Sequence, residues 1–291
     1  MSFFALASAA TGLFLAPFGN PQDLTRLSNP WHGFLPRDPV LWVVRIQDVP
    51  AGNCNQWLQA IASAAPGERL ELGDTRSIQL EKSWGPWDED DINAIKDCDD
   101  FPCAVKLNSV EASKLSSSSV EGRQKKYFSV VGERVAQYLR TQERKEYEFS
   151  GNPVDPWALL EKHGFVSKST KPPQPLLYSR KLDFGSGKVQ PIRQVLDWRV
   201  AKAPSGREVT TWMRDAYTDH YFDSWGEWTH FSCSSSKSKT STVIQVLIVE
   251  LDLLKKTDLI SKIMRGKMKS AIEENGRAYL DRSWNRIKSK Y

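Results

Sequence analysis

The chain predicts an α+β fold, a curved antiparallel sheet packed around a long C-terminal helix, with a helical insertion at about residues 88–162. Three observations carry this. Four strand-like runs fill residues 175–254 with short polar connections, which favour antiparallel pairing of successive strands. From about residue 258 to 287 one apolar stripe recurs at helical spacing, with most of the charge off it. A second stripe, Tyr127, Val130, Val131, Val135, Tyr138 and Leu139, marks the insertion. A sheet with an apolar face and a striped helix bury those faces on each other.

In chain order, residues 1–30 form a lead segment, and 31–291 are read as a single domain. VLWVVRI (40–46) is β-branched and aromatic, hence a strand. Asn53 is a suitable N-cap for a helix carrying Trp57, Leu58, Ile61 and Ala65, which Pro66-Gly67 stops. ERLELGDTRSIQL (68–80) reads as extended, SWGPWDEDD (83–91) as an acidic connector, SSSSVEG (116–122) as a loop, and KPPQP (171–175) as the boundary back into strands. The four runs are PLLYSRKLDF, PIRQVLDWRVAK, REVTTWMRDAYTDHYFDS and STVIQVLIVELDLL, parted by GSG, APSG and SSSKSKTS. The closing helix places Leu259, Ile260, Ile263, Met264, Met268, Ala271, Ile272, Tyr279, Leu280, Trp284 and Ile287 on its stripe, with Lys262, Arg265, Lys269, Arg277 and Arg286 largely off it.

A content of 40% hydrophobic residues is enough for a real core, and the net charge of +5 is modest but uneven. Residues 255–291 hold eleven Lys/Arg against four Asp/Glu, which gives a basic terminal helix and the expectation of a weak contact with anionic membrane. No basic run is interleaved with a nucleic-acid motif, so no nucleic-acid partner is expected. The apolar run at 3–18 (FFALASAATGLFLAPF) reads as the core of a secretory signal, although no Lys or Arg precedes it. A periplasmic or otherwise exported protein is therefore expected. Export suits Cys54, Cys98, Cys103 and Cys233, an even set with three pairings; Cys98 and Cys103 can close a small loop, and Cys54 is an equally open partner. The four histidines, His32, His163, His220 and His230, lack metal-ligand spacing, so neither metal nor cofactor is expected.

Chemistry concentrates in AYTDHYFDSWGEWTHF (216–231), which packs two histidines, three acids and six aromatics into sixteen residues. Read as one strand over 212–224, it sets His220 on a face with Thr218, Phe222 and Ser224, and Tyr217, Asp219, Tyr221 and Asp223 on the other. His220 then cannot pair with Asp219 as a dyad. An orienting acid for a general base has to come from elsewhere, with Asp183, Asp197 and Tyr178 as candidates. No nucleophile elbow, phosphate loop, dinucleotide fingerprint or zinc-protease motif is present. Gly226 suits a bulge between two tryptophans.

Cys98 and Cys103 in CxxxxCAVKL, then GERVAQYL, LYSRKLDF and the run Tyr217, His220, Tyr221, Phe222, Asp223 resemble, over roughly residues 40–285, a family of exported proteobacterial proteins of unassigned function with a Tyr-x-x-His-Tyr-Phe-Asp signature. The chain departs from that family where an Asn-Arg-Ser-Arg run usually follows the penultimate strand and ELDLLKK stands here. More loosely, the element order resembles the START-like (SRPBCC) helix-grip fold, whose members usually enclose a hydrophobic cavity between helix and sheet. The resemblance implies an exported binding protein for a hydrophobic or lipid-like ligand. Tyr178, Trp212, Tyr217, His220, Tyr221, Phe222, Asp223, Met264 and Met268 are the expected lining. Two further readings stay open: a hydrolase-type enzyme using His220 as general base, and a structural or interaction protein with a solid core.

Overall fold

The structure, a computed structural model, describes residues 31–37, 40–70, 76–85, 87, 89–96, 105–115, 119–141, 156–162, 175–182, 191–219, 222–234, 239–251 and 259–291. Side chains are described for fewer, the first fifteen residues of the last helix being among those left out. The architecture is mixed α+β. One open antiparallel sheet holds β1 (Trp31–Arg37), β2 (Val40–Pro50), β3 (Glu68–Arg69), β4 (Leu176–Leu182), β5 (Ile192–Lys202), β6 (Glu208–Thr218), β7 (Phe222–Ser232) and β8 (Thr240–Leu251). Its order is β1-β2-β8-β7-β6-β5-β4-β3, so seven full strands are extended by the two-residue β3 at one edge. The meander β4 to β8 forms because short connections join successive strand-prone runs; burial alternates along β4, whereas β5 to β8 are largely buried on both faces. β2 then adds on the far side of β8 over its full length, Val40 opposite Glu250 through Pro50 opposite Thr240.

Both faces of the sheet are covered. On one lie α1 (Cys54–Ser63) and α7 (Leu259–Lys288). Trp57, Leu58, Ala60 and Ile61 of α1 share a core with Val209, Phe231 and Val243 of the sheet and with Trp284 and Ile287 of α7. Tyr279 and Leu280 pack on Val43, Leu196, Met213, Trp225 and Leu247. On the other face lie α2 (Arg76–Trp84), α3 (Glu89–Lys96), α4 (Ser109–Ser113), α5 (Val120–Thr141) and α6 (Pro156–Lys162). Here Trp84, Tyr127, Phe128, Val131 and Val135 bury against Leu177, Val195 and Tyr217.

Three of the four strand-like runs, the Trp57 helix and the closing helix are observed close to their expected bounds; the third run, 207–224, is not, and β7 was not expected as a strand of its own. Three local expectations are corrected. Residues 212–224 are two strands: β6 ends at Thr218 and β7 begins at Phe222, with no Gly or Pro to mark the reversal. Residues 76–80 are helical rather than extended, because Leu80 and Trp84, four apart, bury on one helix face. The SSSSVEG loop ends sooner than expected, since Val120, Glu121 and Gly122 already belong to α5. A further strand that the sequence reading does not name, WHGFLPR, is the edge strand β1, where Pro36 is tolerated because an edge position spares a ladder hydrogen bond.

The helical insertion therefore begins before residue 88, with α2, and packs on the face away from α7. Residues 1–30, Cys98 and Cys103, His163, Asp183, His220, Tyr221, half of SSSKSKTS and most of ELDLLKK lie outside the described residues. Among the described residues no helix is long and apolar enough to cross a membrane. Cys54 and Cys233 are joined in a disulfide with Cα atoms 5.7 Å apart, which ties the start of α1 to the end of β7.

Candidate functional site

The site is built on one row of the sheet. Trp198 of β5 stands opposite Met213 of β6, which stands opposite Glu227 of β7, so the three side chains project from one face toward α7. In the next row Thr211 faces Thr229, and Thr229 faces Gln245 of β8, which faces Arg45 of β2. These are polar residues beneath a helix, and α7 answers them at matching spacing. Tyr279, Ser283 and Arg286 lie four and three residues apart, hence on one side of α7.

The resulting network is closed at most of its atoms. Glu227 Oε1 accepts the Ser283 hydroxyl at 2.6 Å and Oε2 the Tyr279 hydroxyl at 2.7 Å. Gln245 Nε2 and Arg286 Nη2 each donate to Ser283 Oγ at 3.1 Å. Arg180 on β4 donates to Tyr279 Oη at 2.9 Å and to Gln194 Oε1, with its guanidinium 4.4 Å from the Trp225 ring centre. Arg45 pairs with Asp281 at the other end. Burial pushes the Tyr279 phenol up to about 12, Glu227 adding to the effect and Arg180 opposing it.

A cleft opens over this row between α1, the sheet and the end of α7. Ile61, Ala64 and Pro66 form one wall and Ser283, Arg286 and Ile287 another, over Trp198, Met213, Glu227 and Thr229. About 20 Å³ of it admits a water-sized sphere, inside a recess of about 300 Å³ that includes solvent at the mouth. The first volume holds one water-sized group, since a water needs roughly 10–15 Å³ by that measure. Arg286 borders the mouth, its Nε donating to Ala64 O at 3.1 Å and Nη2 lying 3.9 Å from Glu227 Oε2. Trp198 is 3% exposed, and its indole Nε1 has no hydrogen-bond partner among the described residues.

The structure distributes the expected site residues over several places. Tyr178, half-buried on β4, sits with its ring centre 6.0 Å from Trp198, beside the cleft. Trp212 borders the cleft but meets Trp157 of α6 edge-on at 5.8 Å. Tyr217 belongs to the opposite face. Val195 pairs with Tyr217 and Leu196 with Asp215, which leaves Ala216 unpaired as a bulge that turns Tyr217 toward α5. There its hydroxyl lies 2.9 Å from that of Tyr127. Phe222 and Asp223 open β7, and Met264 and Met268 lie on α7; their side chains, like His220 and Tyr221 altogether, are outside the described residues.

Of the acids considered for a histidine base, Asp197 is taken. It accepts from Tyr138 and from Arg199, on the face away from α7. Asp219 accepts from the backbone N–H of Arg193 at 2.9 Å, and Arg193 also pairs with Asp91. His230 stacks on Trp228 and lies 2.9 Å from Thr210 Oγ1 through Nδ1, with burial holding its pKa below the ordinary histidine value. Among the described residues no group of three His, Cys, Asp or Glu is placed to hold a metal ion.

Sequence reasoning missed Trp198, Glu227, Ser283 and Arg286. The available signal was polar residues recurring at helical spacing inside the α7 stripe, and an acid between two tryptophans in WGEW. No family model and no curated protein matches the chain.

Proposed function

We propose that the chain is an exported, non-catalytic binding protein that holds a small amphipathic ligand between its sheet and C-terminal helix, on an architecture of the START-like helix-grip kind. The observation that carries this reading is the cleft over Trp198, Met213 and Glu227, where apolar walls converge on a few fixed polar groups. That composition is usual for a ligand pocket. The described volume suits a ligand that inserts one end, not a whole acyl chain. The Cys54–Cys233 bond supports an oxidising compartment. The likeness to the exported family with the Tyr-x-x-His-Tyr-Phe-Asp signature belongs to the same proposal. So does weak contact with anionic membrane, for which exposed Arg277, Arg282, Lys288 and Lys290 are the support.

Native mass spectrometry of the gently extracted protein tests the reading. A defined adduct of small-molecule mass, lost on denaturation, is expected; a spectrum of bare protein alone counts against it.

A second reading, an interaction protein with a solid core, has its own observation. Tyr279, Leu280, Trp284 and Ile287 are each no more than 6% exposed, so the end of α7 fills most of the space above the sheet. Under that reading the cleft holds only water and no adduct is found.

A further inference from the structure

Resting on the proposed contact with anionic membrane, we infer that its surface is one end of the molecule rather than the length of the terminal helix. There the strand ends of the sheet, the start of α1 and the last turn of α7 meet, and the partner is a bilayer carrying anionic phospholipid.

The fold gathers this end from separate parts of the chain. Lys202 closes β5, Arg207 precedes β6, Cys233 follows β7, Lys239 precedes β8 and Ala51 follows β2, and these are five neighbouring strands. Backbone bonds tie the ends together: Ala203 N–H to Glu208 O at 3.1 Å, Cys233 N–H to Arg207 O at 2.8 Å and Ala51 N–H to Lys239 O at 3.0 Å. The Cys54–Cys233 bond adds the start of α1. Tyr291 stacks on Trp57 of α1 at 4.2 Å and is hydrogen-bonded to Asn53, which brings Lys288 and Lys290 to the same end. Only those two lysines belong to the basic terminal segment; Lys202, Arg207 and Lys239 join them from the connections between strands.

Charge is the second feature. Lys202, Arg207, Lys239, Lys288 and Lys290 are all exposed, against two exposed acids beside them, Asp48 and Glu208. None of the five has an ion-pair partner among the described residues, whereas the exposed Lys114 and Lys125 on the insertion are paired with Glu133 and Glu121. The intervening helix α1, CNQWLQAIAS, carries no charge that could offset them. This end therefore holds a surplus of positive charge that nothing in the fold uses, and such a surplus attracts an anionic surface.

The layout favours a bilayer over a nucleic acid. Lys202 and Lys239 stand three strands apart, roughly 14 Å at the usual spacing, and Lys288 and Lys290 lie off the sheet in the helix layer, so the cations spread in two directions. Nucleic acid is held by a helix or ribbon that enters a groove, or by a channel with free aromatic platforms. Strand ends and hairpin turns supply neither. Tyr291, 45% exposed, instead sets one amphipathic ring at the rim, the residue type that settles among lipid headgroups.

The test is co-sedimentation of the full-length protein with vesicles of phosphatidylcholine alone and with vesicles of phosphatidylcholine and phosphatidylglycerol in equal parts. Binding to the anionic vesicles that high salt abolishes is expected, with little to the neutral ones. Lys202→Gln with Lys239→Gln is expected to weaken it by about twentyfold at an unchanged melting temperature, since each cation at the surface contributes about fivefold. Arg277 and Arg282 lie further back on α7, roughly 9–17 Å along the axis from Lys288, so Arg277→Gln with Arg282→Gln should cost no more than about threefold. An equal or larger loss in the Arg277/Arg282 variant overturns the assignment to this end and leaves membrane contact through the helix standing. Equal binding to both vesicle types overturns charge as its basis, and tighter binding to duplex DNA at matched phosphate overturns the lipid partner. If neither vesicle type nor DNA sediments with the wild type, the inference and the membrane contact beneath it both fail.

Discussion

Tyr279 of α7 donates its phenol proton to Glu227 Oε2 of β7 at 2.7 Å, while accepting from Arg180 Nη1 at 2.9 Å. One hydroxyl thus links β4, β7 and the terminal helix. Burial raises its pKa from 10.0 to about 12, so between those values the unfolded chain gives up this proton before the folded one does. The contribution of this group to stability is therefore constant below pH 10 and falls as pH rises from 10 to 12, by on the order of 3 kcal/mol. Tyr279→Phe is expected to cost about 1–2 kcal/mol at neutral pH, through the lost hydrogen bonds, and to flatten the alkaline slope. Urea midpoints of both proteins at pH 8, 10 and 11 check this; parallel slopes above pH 10 would sink it.

Gly276 lets α7 approach β2. A Cβ built there would lie 2.8 Å from Val43 Cγ2, closer than two carbons pack. Gly276→Ala gains about 1 kcal/mol of helix propensity and loses about 1–3 kcal/mol to overpacking, so a net loss is expected. Val43→Ala should relieve the clash, leaving the double variant more stable than the sum of the single effects by about 1 kcal/mol. Additive effects in a thermal-denaturation cycle would mean that the helix does not sit on Val43.

The parts of the fold that are legible in the sequence are those in which local pattern and tertiary environment agree. The α7 stripe puts Tyr279, Leu280, Trp284 and Ile287 inside, and β2, β5 and β8 announce themselves by β-branched runs. Disagreement explains the misses. The reversal between β6 and β7 falls in a run of acidic and aromatic residues without Gly or Pro, so periodicity carries straight through it. The bulge at Ala216 swaps the face of Tyr217, which alternation alone cannot foresee. The cleft is harder still, because Trp198, Glu227 and Arg286 meet only through strand register and helix docking across 88 residues of chain. A dense polar segment drew attention to 216–231, and of that segment Glu227 and Thr229 line the cleft.

The disulfide closes a sequence separation of 179 residues and anchors the α1 wall of the cleft to the sheet. In the chain-entropy account a loop of that length contributes about 5 kcal/mol. Reduction, or Cys54→Ser with Cys233→Ser, is expected to lower the urea midpoint by a large share of that, and added reductant should lower the double variant by much less than it lowers the wild type. A wild-type midpoint indifferent to reductant would show that the bond is absent or does not constrain the unfolded chain.

Arg134 of α5 and Glu111 of α4 form a buried pair, with side chains 2% and 6% exposed. Arg134 Nε donates to Glu111 Oε1 at 3.0 Å and Nη1 to Lys106 O at 3.1 Å. Glu111 also closes a capping box with Asn108, accepting from its backbone N–H at 3.0 Å. Arg134→Met leaves the carboxylate buried without its main partner and is expected to cost about 3–5 kcal/mol. Glu111→Gln keeps an acceptor for the cap but leaves the guanidinium short of charge. Removing both charges together discards the burial cost of each, so the double variant should lie above the sum of the two losses by about 1–3 kcal/mol. Because the pair is shielded from solvent, the coupling should change little between low and high salt, unlike the exposed Lys125–Glu121 pair on α5. A coupling near zero, or one that salt abolishes, would show that water reaches the guanidinium and that the insertion does not seal against itself at this point.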